Sequence, residues 1–283
     1  MATFNVSEEI KMYREDKIII KDVAKGNILD LCLVCVPPEK SNDMDWQKGV
    51  EEKRLWAIDI LQKWGLIAKI AYYDDSLAGM IQYRPVPEEK IVSIDCIYVS
   101  QKEHWQKGIG TRLLENLIEE MKKPQKWFKN QPASALVVRT FPGESEGQIS
   151  AQEFFARKGF KQVGKSKSFL YYPIKENFVY QPVEKESPAY VPQSEDRGKV
   201  LIFCGPNKCP AAYPFFLKRM EKYIREIDHT IPIIYVDISR EPEKAQTRNA
   251  GYGDCIVNAR FINAFVLDKE NFQREVKEAI RDK

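Results

Sequence analysis

Ile94-Asp95-Cys96-Ile97-Tyr98-Val99, then Ser100 to Lys107, then Gly108-Ile109-Gly110-Thr111-Arg112-Leu113-Leu114 is the stretch on which the fold turns. It reads as a strand, a loop ending in two glycines, and an amphipathic helix from Gly110 to Lys122 that stops before Pro124. Glycine lets an anion approach the backbone closely. A helix N-terminus adds unpaired N–H groups and the positive end of its dipole. Together they suit a pyrophosphate, with Lys107 and Arg112 adding charge. No Gly-Lys-Ser/Thr follows as in a Walker loop, and the three-glycine dinucleotide spacing is missing.

Outward from this stretch, strands and helices alternate. Lys17 to Asp22 is a short strand, and Glu51 to Trp64 a helix with Leu55, Ile58 and Leu61 on one face, ended by Gly65. Leu66 to Tyr73 and Leu77 to Tyr83 form a hairpin around Asp74-Asp75-Ser76. Ala135 to Thr140 is a strand, Ser150 to Lys158 a helix closed by Gly159, and Phe160 to Tyr172 a final strand pair. The fold class is α/β (α+β), a sheet flanked by helices. The length of 283 residues suits two domains. A proline- and charge-rich linker at 176–197 separates a domain over 1–175 from one over 198–283.

Composition narrows the function. Lys and Arg number 44 against 41 Asp and Glu, a net +3, which argues against a nucleic-acid-binding field. No apolar run reaches the length of a membrane span, and Met1 to Asp16 lacks the apolar core of a signal peptide. The expectation is a cytoplasmic protein whose six cysteines are thiols.

Two segments carry a family resemblance. Trp105-Gln106-Lys107-Gly108-Ile109-Gly110 after Ile97-Tyr98-Val99 resembles motif A of the GNAT N-acetyltransferases, Gln/Arg-x-x-Gly-x-Gly/Ala. Ala151-Gln152-Glu153-Phe154-Phe155-Ala156-Arg157-Lys158-Gly159-Phe160 resembles their motif B, Ala-x-x-Phe-Tyr-x-x-x-Gly-Phe. The resemblance covers residues 1–175. It implies a mixed central sheet that splays at an acetyl-CoA site, and acetyl transfer from acetyl-CoA to an amine by direct attack in a ternary complex. It implies that Ile97, Tyr98 and Val99 pair with the pantetheine arm. Gln106, Lys107, Gly108, Ile109, Gly110 and Thr111 would hold the pyrophosphate. Trp105 stands at the Gln/Arg position, and Phe155 where the family often has the tyrosine that protonates departing CoA. The amine acceptor is a small molecule, peptide or protein. Bacterial origin and a homodimer are also expected.

Acetylation needs a base for the amine proton. Asp95 matches a position where many such enzymes carry a carboxylate, and strict alternation puts it on one face with Ile97 and Val99. A salt-bridge role for Asp95 is equally open. Cys96 is expected to point away into the core. The acid for the thiolate is water or one of Tyr98, Tyr171 and Tyr172. His104 reads as a solvated loop residue, and with two histidines a His-rich metal site is excluded, so no metal is expected. Most of Trp46, Trp56, Trp64, Tyr72, Tyr73 and Tyr83 read as core. Asp43, Asp45, Glu51 and Glu52 read as a solvated acidic face. The acceptor loops are expected at Val36 to Val50 and Arg84 to Lys90.

In the C-terminal part, strand Lys199 to Phe203 precedes Cys204-Gly205-Pro206-Asn207-Lys208-Cys209-Pro210 and a helix from Tyr213 to Ile227. Ile231 to Ile238, Phe261 to Val266 and the helix Lys269 to Ile280 complete a small α/β unit. It resembles the YoaP-like, thioredoxin-like extension that follows GNAT domains in some bacteria. The cysteine spacing is Cys-x4-Cys, with Cys255 further on. An interaction domain, disulfide exchange and metal binding by Cys204, Cys209 and Cys255 are all open, as is an acyl-CoA-binding module without turnover.

Overall fold

The computed structural model describes residues 17–140, 149–183 and 189–281; the expected polar start and Pro188 of the expected linker lie outside them. By packing, the chain divides into two units, Met1–Cys35 with Ile58–Glu184 and Val36–Ala57 with Lys185–Lys283. Val36–Ala57, expected within the first domain, therefore belongs with the second unit.

The first unit is built on a seven-stranded sheet of order β1-β2-β3-β4-β5-β7-β6. These are β1 (Ile18–Asp22), β2 (Ala68–Tyr73), β3 (Ser76–Val86), β4 (Ile91–Val99), β5 (Ala135–Arg139), β6 (Lys161–Gln162) and β7 (Phe169–Pro173). All neighbours are antiparallel except β4 and β5. Asp74 and Asp75 turn the β2–β3 hairpin with φ of 47° and 62°, the backbone a tight two-residue hairpin requires.

Helix α1 (Ile28–Leu33) is short, and α2 spans Met44–Trp64, starting seven residues before the expected Glu51. Helix α3 (Ile109–Met121) buries Ile109, Leu113, Leu114, Leu117, Ile118 and Met121 against one face of the sheet. Each contributes roughly 1.5–3 kcal/mol by burial. Helix α4 (Ala151–Arg157) starts at Ser150, whose hydroxyl accepts the Glu153 N–H at 3.1 Å. Lys69, nearly enclosed, ties sheet to helix by pairing with Asp22 at 2.6 Å and Glu120 at 2.5 Å. The opposite face is covered by Val163, Phe169, Tyr171 and Tyr180. Tyr180, from the expected linker, donates to Glu89 at 2.7 Å.

The second unit holds a four-stranded sheet of order β11-β10-β8-β9. Strands β8 (Val200–Cys204) and β9 (Ile233–Asp237) are parallel; β10 (Cys255–Val257) runs antiparallel to β8, and β11 (Arg260–Phe261) to β10. The expected strand over Phe261 to Val266 is mostly coil, and β10 lies before it. A π turn at Tyr213–Leu217 leads into α5 (Lys218–Arg225); α6 (Pro242–Gln246) and α7 (Lys269–Arg281) follow. Arg248 grips the buried Asp196 through two bonds of 2.7 and 2.8 Å, so the end of the expected linker is anchored in this unit.

The 36–57 segment brings α2 into this unit at very close range. A Cβ at Gly49 would stand 1.9 Å from the Pro210 carbonyl oxygen, so only glycine fits. One turn on, Glu52 is 2% exposed, so of the expected solvated acidic face Glu52 is buried, while Glu51 is exposed and Asp43 and Asp45 are half-buried. Burial pushes the Glu52 carboxyl from the ordinary 4.5 up to about 7, partly offset by the bond from Tyr252. A raised carboxyl contributes stability that is full below pH 4.5 and is lost as pH rises through 7, here about 3 kcal/mol. Glu52→Gln is therefore expected to raise the urea midpoint at pH 8 and to leave it nearly unchanged at pH 4.5. Equal shifts at both pH values would contradict the buried charge.

Candidate functional site

The site begins where strand register breaks. From Val86↔Ile91 to Tyr83↔Ile94 the β3–β4 pairing is regular, and from Gln82↔Cys96 to Gly79↔Val99 it is regular again. Asp95 is the extra residue, a β-bulge. The parallel pairing of β4 with β5 ends at the same place, at Ile94↔Val138. Beyond it β4 has no ladder partner on that side among the described residues. The expected splay of the sheet is thus present and has a bulge at its root.

The open edge has a definite polarity. Ser100 N–H donates to Ala78 at 2.9 Å, which sets the alternation of hydrogen-bonded pairs in this ladder. Counting back, the main-chain groups of Tyr98 and Cys96 face β3, and those of Ile97 and Val99 face the open side. Ile97 and Val99 therefore offer backbone to an added strand. Tyr98 offers its exposed ring instead.

The bulge also moves side chains. Val92, Ile94, Ile97 and Val99 of β4 pack in the core beneath α3, so alternation slips by one at the bulge. Asp95 therefore does not share a face with Ile97 and Val99, contrary to the expectation from strict alternation. Its side chain, 4% exposed, lies 3.3 Å from the Arg84 guanidinium. Cys96 is half-buried opposite Gln82 and is not part of that core.

Past Val99 the loop is held in a strained path. Gln101 and Gln106 have φ of 51° and 59°, and Gly108 82°. Such backbone costs a non-glycine residue about 1–2 kcal/mol, and at Gly108 glycine removes the cost. Two contacts hold it. Trp105 donates its indole N–H to the Val99 carbonyl at 3.3 Å. His104 is buried, with Nδ1 3.2 Å from the Ser100 carbonyl and 3.3 Å from its hydroxyl, so it is not the expected solvated residue. Lys107 rests its ammonium 4.3 Å from the centre of the Tyr73 ring. No side chain caps α3, whose first amides, Ile109 to Thr111, face outward from Gly108.

Helix α4 closes the far side. Phe154 stands 3.6 Å from where a Cβ of Gly110 would sit. Phe155 is buried, in edge contact with Phe154 and Phe160 at 5.2 and 4.9 Å. Neither carries a hydroxyl. Tyr171 is buried on the opposite face, and Tyr172 packs on Phe160 at 5.4 Å. Among the described residues there is no group of three His, Cys, Asp or Glu side chains suited to a metal ion. None of the described helices is long and apolar enough to cross a membrane. Sequence reasoning missed Arg84, which no motif marks, and the roles of His104 and Trp105 in holding the loop.

Several solved structures are similar to part of this chain. A GNAT-family acetyltransferase from Staphylococcus aureus Mu50 is 19% identical, covering 56% of this chain and 99% of that one, with a TM-score of 0.38. Ard1 from Thermoplasma volcanium is 12% identical over 56% of this chain and 99% of its own, with a TM-score of 0.40. A GNAT-family acetyltransferase from Brucella melitensis, in complex with acetyl-CoA, is 15% identical over 60% and 96%, with a TM-score of 0.38. At these scores the likenesses carry no weight for the chemistry. No curated relative matches the chain. Residues 38–139, which hold the hairpin, the bulged strand, the glycine loop and α3, match the model of the acetyltransferase (GNAT) family.

Proposed function

We propose that this chain transfers an acetyl group from acetyl-CoA to an amine. The observation that carries it is the union of an open β4 edge at Ile97 and Val99 with an uncapped α3 N-terminus at the end of the same strand. A pantetheine arm is a chain of amides and pairs with such an edge as a strand does; a pyrophosphate suits such a helix end. The residues present therefore fit the co-substrate.

Acetyl-CoA supplies an activated thioester. The main-chain N–H groups of Ile97 and Val99 are the donors available to a carbonyl oxygen at the open edge. Val99's own carbonyl is already taken by Trp105. Amides 106–111, with Lys107 and Arg112, bind the diphosphate. Asp95 accepts the proton of the attacking amine through water, and Arg84 orients its carboxylate. A thiol with an ordinary value near 8.5 leaves readily, so water or the hydroxyl of Tyr98 suffices as acid.

The second unit has the order β8, α5, β9, α6, β10, β11, α7, with β8 and β9 parallel and β10 and β11 antiparallel. That order supports a thioredoxin-like domain, the YoaP-like extension expected from the sequence.

Calorimetric titration of acetyl-CoA into the full chain is expected to give micromolar binding, about −8 kcal/mol. Gly108→Glu, which strains the loop and places an anion in it, is expected to abolish binding. Gly108→Asn, tolerant of positive φ, is expected to retain most of it. Trp105→Phe keeps an aromatic ring but loses the indole N–H and its bond to the Val99 carbonyl, so binding is expected to weaken about three- to tenfold. Binding unaffected by Gly108→Glu would overturn the site.

Asp95→Asn tests the chemistry. With a responsive amine, kcat is expected to fall about 10²- to 10⁴-fold, with acetyl-CoA affinity unchanged. The loss is expected to shrink at high pH, where the amine sheds its own proton. An unaltered kcat would remove Asp95 from the mechanism, and acetyl-CoA binding without turnover of any amine would leave a binding module.

A further inference from the structure

The two faces of the bulged strand differ. Val92 and Ile94 of β4, with Ile81 and Tyr83 of β3, lie in the core beneath α3. Period-two alternation puts Gln82, Arg84 and Val86 of β3 on the other face, with Ile91, Ser93 and Asp95 of β4. The ion pair between Arg84 and Asp95 agrees with that placement. Toward β5 and β7 this face is covered by an apolar layer of Ile91, Val137, Phe169, Tyr171 and Tyr180, with Val86 packed against it. At Arg84 the cover ends, and its side chain is 52% exposed.

Arg84 and Asp95 stand at the root of the opening, because Ile94↔Val138 is the last pair between β4 and β5. Helix α3 and the core beneath it close the other face of β4. An acceptor therefore reaches the open edge from the face that carries Arg84 and Asp95. Arg84 commits only Nε to Asp95, at 3.3 Å from Oδ1. Among the described residues its terminal nitrogens have no hydrogen-bond or ion-pair partner. Such a planar fork matches a carboxylate with paired N–H···O bonds. The pair thus sets a group that takes protons beside a group that holds an anion. A small molecule bearing both an ammonium and a carboxylate satisfies both. A purely cationic amine meets a guanidinium of its own sign, and a neutral one leaves the fork unpaired.

We propose that the acceptor is a free amino acid, its carboxylate gripped by the terminal nitrogens of Arg84 and its amine set toward the open β4 edge; this rests on the acetyl-transfer reading above. The ammonium gives one proton through water to Asp95 and on to solvent. Its nitrogen bonds the acetyl carbon, the C–S bond of the thioester breaks, and the second amine proton goes to the departing thiolate. Arg84 thereby selects the acceptor as well as orienting Asp95.

The test uses the full chain with acetyl-CoA and the common free amino acids, each beside its own α-amide, with putrescine as an amine that lacks a carboxylate. Thiol release gives the rate and mass spectrometry the acetylated product. At least one free amino acid is expected to be acetylated with kcat/KM about tenfold or more above that of its amide. Arg84→Gln is expected to bring that ratio close to unity, chiefly by raising KM for the acid, and Arg84→Lys to keep part of it. A thermal melt verifies that both variants are folded. An Arg84 that acts only by orienting Asp95 would slow acid and amide alike, so an unchanged ratio in folded Arg84→Gln overturns the proposal. So does a wild type that prefers the amides or putrescine. If no free amino acid is acetylated while calorimetry shows acetyl-CoA bound, the acceptor class is overturned and the cradle stands. Absence of acetyl-CoA binding overturns both.

Discussion

One surplus residue in β4 organises the first unit. Opposite β3 the strand has room for Cys96 against Gln82 and Ile94 against Tyr83, and Asp95 is left between them. A bulge bends and twists its strand. Here it coincides with the point where β4 leaves β5, so two adjacent parallel strands part just where the chain is about to enter the glycine loop. Main-chain groups that would pair inside a continuous sheet are presented outward at Ile97 and Val99. The residue at the bulge is itself a carboxylate beside the opening, so one position carries both the local geometry and the local charge.

The loop after Val99 shows how strain is held at such a place. Positive φ at Gln101 and Gln106 is costly for residues with a Cβ. The cost is offset by the buried His104 against Ser100 and by the Trp105 indole on the Val99 carbonyl. These contacts tie the loop to the last residue of the open strand. The amides of α3 are thereby held in one arrangement, which would reduce the ordering cost of the binding proposed above. Trp105, which departs from the motif, acts here as the clasp of the loop.

Much of this was legible in the sequence, for reasons that are local. Apolar periodicity marked α3, Gly65 and Gly159 marked helix ends, and the two aspartates marked a hairpin turn. The strand–loop–helix order around Gly108 marked the turn from β4 into α3, where the anion cradle is proposed. What stayed hidden depends on partners distant in the chain. A bulge exists only relative to a second strand, so period-two alternation put Asp95 on the wrong face. Burial of Glu52 depends on a loop about 150 residues away, and its acidic neighbours read as solvated. The start of α2 at Met44 was missed because Met44 to Val50 has few apolar positions; its helix is stabilised by packing such as Trp46 on Phe215, 5.6 Å apart. Strand β10 has three residues, too few for a periodic signal.

The central claim is that the bulged strand and the α3 N-terminus form one continuous cradle for acetyl-CoA. Amide hydrogen exchange of the full chain, with and without saturating acetyl-CoA, tests it most directly. The expected result is slowed exchange concentrated at 97–99 and 106–111, with the β3 pairing at Gly79 to Gln82 little changed. Protection confined to other segments, or none at a concentration that saturates binding, would contradict the claim.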